Sequence, residues 1–118
     1  MTTNDTPRGS IEISPTAIAT LASHAALQTY GVVGMASPNL ASDIAASLTR
    51  DPNRGIVVRL EDNHIIIDVY VIIEYGTRIA SVANSLINGV RYAVEQATGL
   101  PVNQVNVHVQ GLRVSKTE

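Results

Sequence analysis

The sequence predicts an α+β fold, a two-layer sandwich in the order β-α-(α)-β-β-α-β, with one mixed or antiparallel sheet of about four strands and helices on one face. Three observations predict it. The stretch "GIVVRLEDNHIIIDVYVIIEYG", Gly55 to Gly76, holds two β-branched runs joined by the turn formers Asp62 and Asn63, the pattern of a β-hairpin. From Thr77 to Thr98, Ile79, Val82, Ala83, Leu86, Val90, Ala93, Val94 and Ala97 recur at helical spacing as one apolar stripe. In "QVNVHVQG", Val105, Val107 and Val109 alternate with Asn106, His108 and Gln110, as a strand with two unlike faces requires.

The remaining elements follow from local chemistry. Alternation in "SIEIS", with Ile11 and Ile13 on one side, suits a short first strand. Ser14 and Pro15 then supply an N-cap and a first-turn proline, and Ile18, Leu21, Ala22 and Ala25 fall on one helical face. Gly31 is placed to cap that helix. The next stretch, "YGVVGMAS", reads as a loop in which Val32, Val33 and Met35 turn apolar side chains under the helix and Gly34 takes a positive φ. A shorter helix over 40–50, with Leu40, Ile44 and Leu48 inward, ends at Pro52, Asn53 and Gly55. Gly99 and Pro101 stop the long helix. One domain over 10–114, between polar tails at 1–9 and 115–118, accounts for a chain of 118 residues.

Composition restricts the chemistry. The chain is 45% hydrophobic but has no Phe or Trp, so Ile, Val, Leu and Ala must build the core. A net charge of −2 with one lysine, Lys116, offers no basic surface for a phosphate backbone. The absence of cysteine excludes disulfides and thiolate metal sites. "MTTNDTPRGS" lacks the basic start and apolar stretch of a signal peptide, and Glu74 interrupts the apolar run from Val69 to Tyr75 far short of the ~20 residues that span a bilayer. A cytoplasmic location is therefore expected.

No catalytic constellation emerges. His24, His64 and His108 lie in different elements, and His64 and Asp68, four residues apart on a strand, are separated by about 13 Å. Ser23 and His24 are adjacent on a helix and point apart. Gly31 and Gly34 are spaced GxxG after a helix, with no lysine or hydroxyl in place for a phosphate. Glu12, Asp68 and His108 share a sheet face, but an open sheet lacks the concavity that excludes water, and a salt-bridged cluster with Arg59 is the simpler expectation. Tyr70 alone cannot stack bases as RNA-binding sheets do.

Strand periodicity turns Ile65, Ile67, Val69, Val71 and Ile73 toward the helices and His64, Ile66, Asp68, Tyr70, Ile72 and Glu74 to the open side. Glu12, Val57, Arg59 and Glu61 join that side, with Asn106, His108 and Gln110 from the last strand. This mixture is more apolar than solvation needs. The candidate interaction face is accordingly Arg59, Ile66, Asp68, Tyr70, Ile72 and His108.

The phrases "GSIEIS", "YGVVGM", "IIEYG" and "TGLPVNQVNVHVQGL" together resemble the alkaline shock protein family of mostly Gram-positive envelope-stress proteins, over roughly Gly9 to Val114. The resemblance implies a cytoplasmic protein without established catalytic activity, linked to stress and the cell envelope, some members being held at the membrane by a separate anchored partner. A non-catalytic, self-associating or adaptor domain is expected from it; the alternative is an accessory or regulatory subunit of a cytoplasmic metabolic enzyme. The expected partner is a second copy or another protein, a membrane-anchored one included. No cofactor, metal, small-molecule substrate, nucleic acid or direct membrane insertion is expected.

Overall fold

A computed structural model describes residues 12–37, 55–62 and 64–114. They form α1 (Pro15–Leu27), β1 (Val32–Met35), β2 (Ile56–Glu61), β3 (His64–Glu74), α2 (Ile79–Thr98) and β4 (Gln104–Arg113). The helix expected over 40–50 lies outside the described residues. So do the tails at 1–9 and 115–118, together with residues 10 and 11 of the expected domain.

β3 organises the sheet. Along one edge β2 runs antiparallel to its first half, Ile56 opposite Val69 and Glu61 opposite His64, and β1 runs antiparallel to its end, Val32 opposite Ile73 and Met35 opposite Val71. Along the other edge lies β4, parallel, from Gln104 opposite Ile66 to Arg113 opposite Glu74. The sheet is thus mixed. β1 and β2 meet end to end at Tyr70, whose N–H donates to the Gly55 carbonyl at 2.8 Å and whose carbonyl accepts from the Ala36 N–H at 3.0 Å. The seam is tight: a Cβ on Gly55 would stand 2.8 Å from the Ala36 carbonyl oxygen.

The β-branched inward row of β3, Ile65, Ile67, Val69, Val71 and Ile73, is buried against Ile18, Ala22 and Ala26 of α1 and Val82, Leu86, Val90 and Val94 of α2. Each large aliphatic side chain removed from water contributes roughly 1.5–3 kcal/mol. The α2 stripe is narrower than the apolar spacing suggested: Ile79 is 43% exposed and Ala97 is exposed, one near each end of the helix. α1 starts where Ser14 accepts from the Ala17 N–H at 3.1 Å with Pro15 in the first turn. α2 stops at Gly99, left-handed at φ 74°, with its N–H on the Glu95 carbonyl at 2.8 Å.

Four local expectations are corrected. Residues 12–14 form no strand, and Ile13 packs on the core from an irregular stretch. Both edges of β3 are already occupied, so a strand there has no partner at the centre of the sheet. The "YGVVGM" segment is not a loop but carries β1, since β2 pairs only up to Val69 and leaves the end of β3 open for Val32 and Met35 to fill. Gly31 does not cap α1, which ends at Leu27 with Gln28 as its right-handed cap. It turns the chain into β1 at φ 95°, its carbonyl accepting from the Glu74 N–H at 2.8 Å. Gly34 has no positive φ; it lies in β1 opposite Ile72, after a register shift, with open space where a Cβ would point.

Candidate functional site

On the sheet face opposite α1 and α2, register alone brings the polar residues together. Val57 and Asn106 lie on either side of Asp68, Arg59 sits opposite Ile66, and His108 sits beside Tyr70. Asp68 is therefore reached diagonally by Arg59 from β2 and by both Asn106 and His108 from β4. Its Oδ2 accepts from Arg59 Nη2 at 2.9 Å; its Oδ1 accepts from Asn106 Nδ2 at 2.9 Å and from His108 Nε2 at 3.1 Å. An ionised carboxylate only accepts, so Nε2 of His108 carries the proton in this contact. The network extends outward: Gln104 donates to Asn106 at 2.9 Å, and Arg59 stands 3.7 Å from Glu61.

Asp68, placed by alternation on the open face and expected in a salt-bridged cluster with Arg59, does pair with that arginine. It is 8% exposed and committed to three donors in all. Burial by itself would raise its pKa, but the hydrogen bonds from Asn106, His108 and Arg59, with the Arg59 charge, outweigh that and hold the carboxyl below its ordinary 3.8. Beside it, the rings of Tyr70 and His108 stack at 4.4 Å between centroids and 11° between planes. Stacking and the Asp68 contact fix the His108 ring from two directions. Ile66, Tyr70 and Ile72 remain partly exposed around this cluster.

Such a cluster makes a poor acid/base centre. Asp68 is low in pKa with both oxygens occupied, and Glu12 lies on the exposed stretch before α1, not on a strand. Among the described residues no three histidines or acids gather to hold one ion. What the geometry does supply is a surface with an aromatic stack, flanking isoleucines and hydrogen-bonded charges. Asn106 was counted on this face but not among its key residues. Its role depends on β4 running parallel to β3 in one register, which alternation cannot reveal.

Met35 packs against the core, and Gly99 and Pro101 lie in the connection between α2 and β4. None of the three belongs to the open face.

The fold and this open face define a small α+β domain in which, among the described residues, two helices lie on one side of a mixed sheet. The chain belongs to the alkaline shock protein 23 family, described by a cell envelope-related function, whose pattern matches residues 3–114. Among its relatives are YloU of Bacillus subtilis, 46% identical over 112 residues covering 93% of both chains, and YqhY of the same organism, 33% identical over 92% of this chain and 81% of YqhY. Both are described as uncharacterized proteins. In fold the chain is similar to the MamM CTD in its copper form, at a TM-score of 0.51 and 14% identity over 87% of this chain and 91% of that one. Among the described residues no helix is long and apolar enough to cross a membrane.

Proposed function

We propose that this chain is a non-catalytic interaction domain of the envelope-stress response, cytoplasmic and recruited to the membrane through a protein partner, which assembles with itself and docks that partner on its open sheet face. The observation that carries the reading is the state of Asp68: three donors spend its charge on ordering the face around Tyr70, leaving a preformed contact surface and no free acid. Preformed surfaces lose little side-chain freedom on binding, which favours affinity. The partly exposed Ile66, Tyr70 and Ile72 supply apolar area, and Arg59 with Glu61 at the rim supplies selectivity.

Tyr70→Asp tests this. An aromatic anchor lost from an interface costs about 2 kcal/mol, roughly thirtyfold in affinity. Tagged wild type and variant are recovered from the native host and their bound proteins compared by mass spectrometry, with circular dichroism as the check on folding. The expected result is a folded variant that loses a protein held by the wild type. Identical recovery by both would move the working surface to the helical side.

A further inference from the structure

The two edges of the sheet are built differently. On one, β2 carries Arg59 and Glu61 and is followed by Asp62, and β1 is only four residues long. Charges and short strands are the usual protection against unwanted strand pairing. On the other, β4 runs ten residues, and from Gln104 to Leu112 it has no charged residue and no proline. Among the described residues β3 is its only partner. The Asn103 N–H donates to Ile65 of β3 at 2.9 Å, and alternation along a parallel ladder then turns the backbone groups of Val105, Val107 and Val109 toward β3. Those of Gln104, Asn106 and His108 point outward.

We propose that two copies of this chain join through β4, antiparallel across a two-fold axis at Val107, extending the sheet through both. This rests on the self-assembly part of the function proposed above and gives it a surface. The occupant is a second copy because the strand complements itself. Gln-Val-Asn-Val-His-Val-Gln, Gln104 to Gln110, reads nearly the same in both directions. The two-fold sets Gln104 against Gln110, Val105 against Val109 and Asn106 against His108 of the second copy, and Val107 against itself. Valine meets valine on the helix side and polar residue meets polar residue on the open side. Asn106 and His108 form the pair that exchanges backbone hydrogen bonds, because both point their amides outward.

Neighbouring registers serve less well. Centring on His108 sets histidine against histidine and Val105 against Gly111; centring on Asn106 sets Asn103 against Val109. The irregularity that skips Gln110 in pairing with β3 ends the regular ladder where the matched segment ends. Val109 and Leu112, 37% and 47% exposed on the helix side, gain apolar neighbours in the pair. The open faces of the two copies become one continuous surface, with both Tyr70–His108 stacks on it.

The absence of cysteine allows a direct test. Directly opposed residues in a non-hydrogen-bonded antiparallel pair have Cα atoms about 4.5 Å apart, inside the roughly 4.4–6.8 Å that a disulfide bridges. Sedimentation should show the wild type as a dimer, and mild oxidation should convert Val107→Cys, but not Leu60→Cys on the other edge, to a covalent dimer. The pair Gln104→Lys with Gln110→Lys opposes lysines twice and should give a folded monomer; Gln104→Lys with Gln110→Glu should restore the dimer. A monomeric wild type overturns the proposal, whether a Val107→Cys thiol is reactive (an edge left for another protein) or shielded (an edge covered by the chain's own segments). A dimer in which Val107→Cys does not cross-link also overturns it. Loss of partner capture by Tyr70→Asp is read separately, so the open-face reading survives or fails independently of this edge.

Discussion

Gly31 and Gly34 stand three positions apart in one glycine-rich phrase and have unlike reasons to be glycine. Gly31 sits at φ 95°, and a Cβ there would lie 2.6 Å from Cγ2 of the buried Val82. Gly34 has ordinary strand geometry and empty space beside it. Gly31→Ala should therefore destabilise by about 1–3 kcal/mol, through strain in the left-handed region and a forced shift of Val82. Gly34→Val should stay within about 0.5 kcal/mol, since valine suits a strand. Urea midpoints of the two variants check the contrast. Spacing alone could not separate these residues, because what distinguishes Gly31 is its contact with a helix some fifty positions later in the chain. The open face was more legible: period-two alternation sorted Ile66, Asp68, Tyr70 and Ile72 to one side without any partner strand. Burial of Asp68 was not legible, as it depends on Asn106 and His108 arriving from β4 in register.

At the level of elements, hydrophobic pattern located the hairpin, the long helix and the last strand, because each is long enough for its period to repeat. It misplaced the shortest strand. Residues 12–14 of "SIEIS" form no strand, whereas Val32 and Met35 pair with the end of β3 that β2 leaves uncovered. At that length alternation alone does not decide which segment becomes a strand. The "TGLPVN" phrase gains its meaning here too. The Thr98 hydroxyl donates to the Val94 carbonyl at 2.7 Å and accepts from the Leu100 N–H at 3.1 Å, and Glu95 accepts from the Val102 N–H at 2.8 Å. Asn103 then clamps the start of β4: its N–H donates to the Ile65 carbonyl and its Oδ1 accepts from the Ile65 N–H, both at 2.9 Å. One residue thus fixes the register that delivers Asn106 and His108 to Asp68. Asn103→Ala should cost about 1–2 kcal/mol by leaving the Ile65 N–H without its acceptor. Amide exchange at Ile65 should accelerate more than at Val69, which distinguishes loss of the clamp from general destabilisation.

For the whole molecule, the Asp68 network ties β2, β3 and β4 together across the sheet face opposite α1 and α2, so its charge state bears on global stability. The sign follows from the direction of the shift. Asp68 holds its proton more weakly in the folded chain than at the ordinary 3.8, so the unfolded chain binds more protons as the pH falls through that range. Its contribution is complete above the unfolded value and is lost as the pH drops through the lower folded value. Asp68→Asn is the informative variant, since it nearly keeps the shape but turns an N–H₂ toward either Arg59 or the Asn106 and His108 donors. At neutral pH it should destabilise by about 1–3 kcal/mol, the cost of leaving partly buried donors without an acceptor. As the pH falls below 3.8 the wild type progressively loses its carboxylate while the variant has none to lose. The gap between their urea midpoints should therefore narrow in acid and stay constant between pH 5 and pH 7 so far as Asp68 sets it. A gap that persisted undiminished in acid would mean that shape rather than charge joins the three strands.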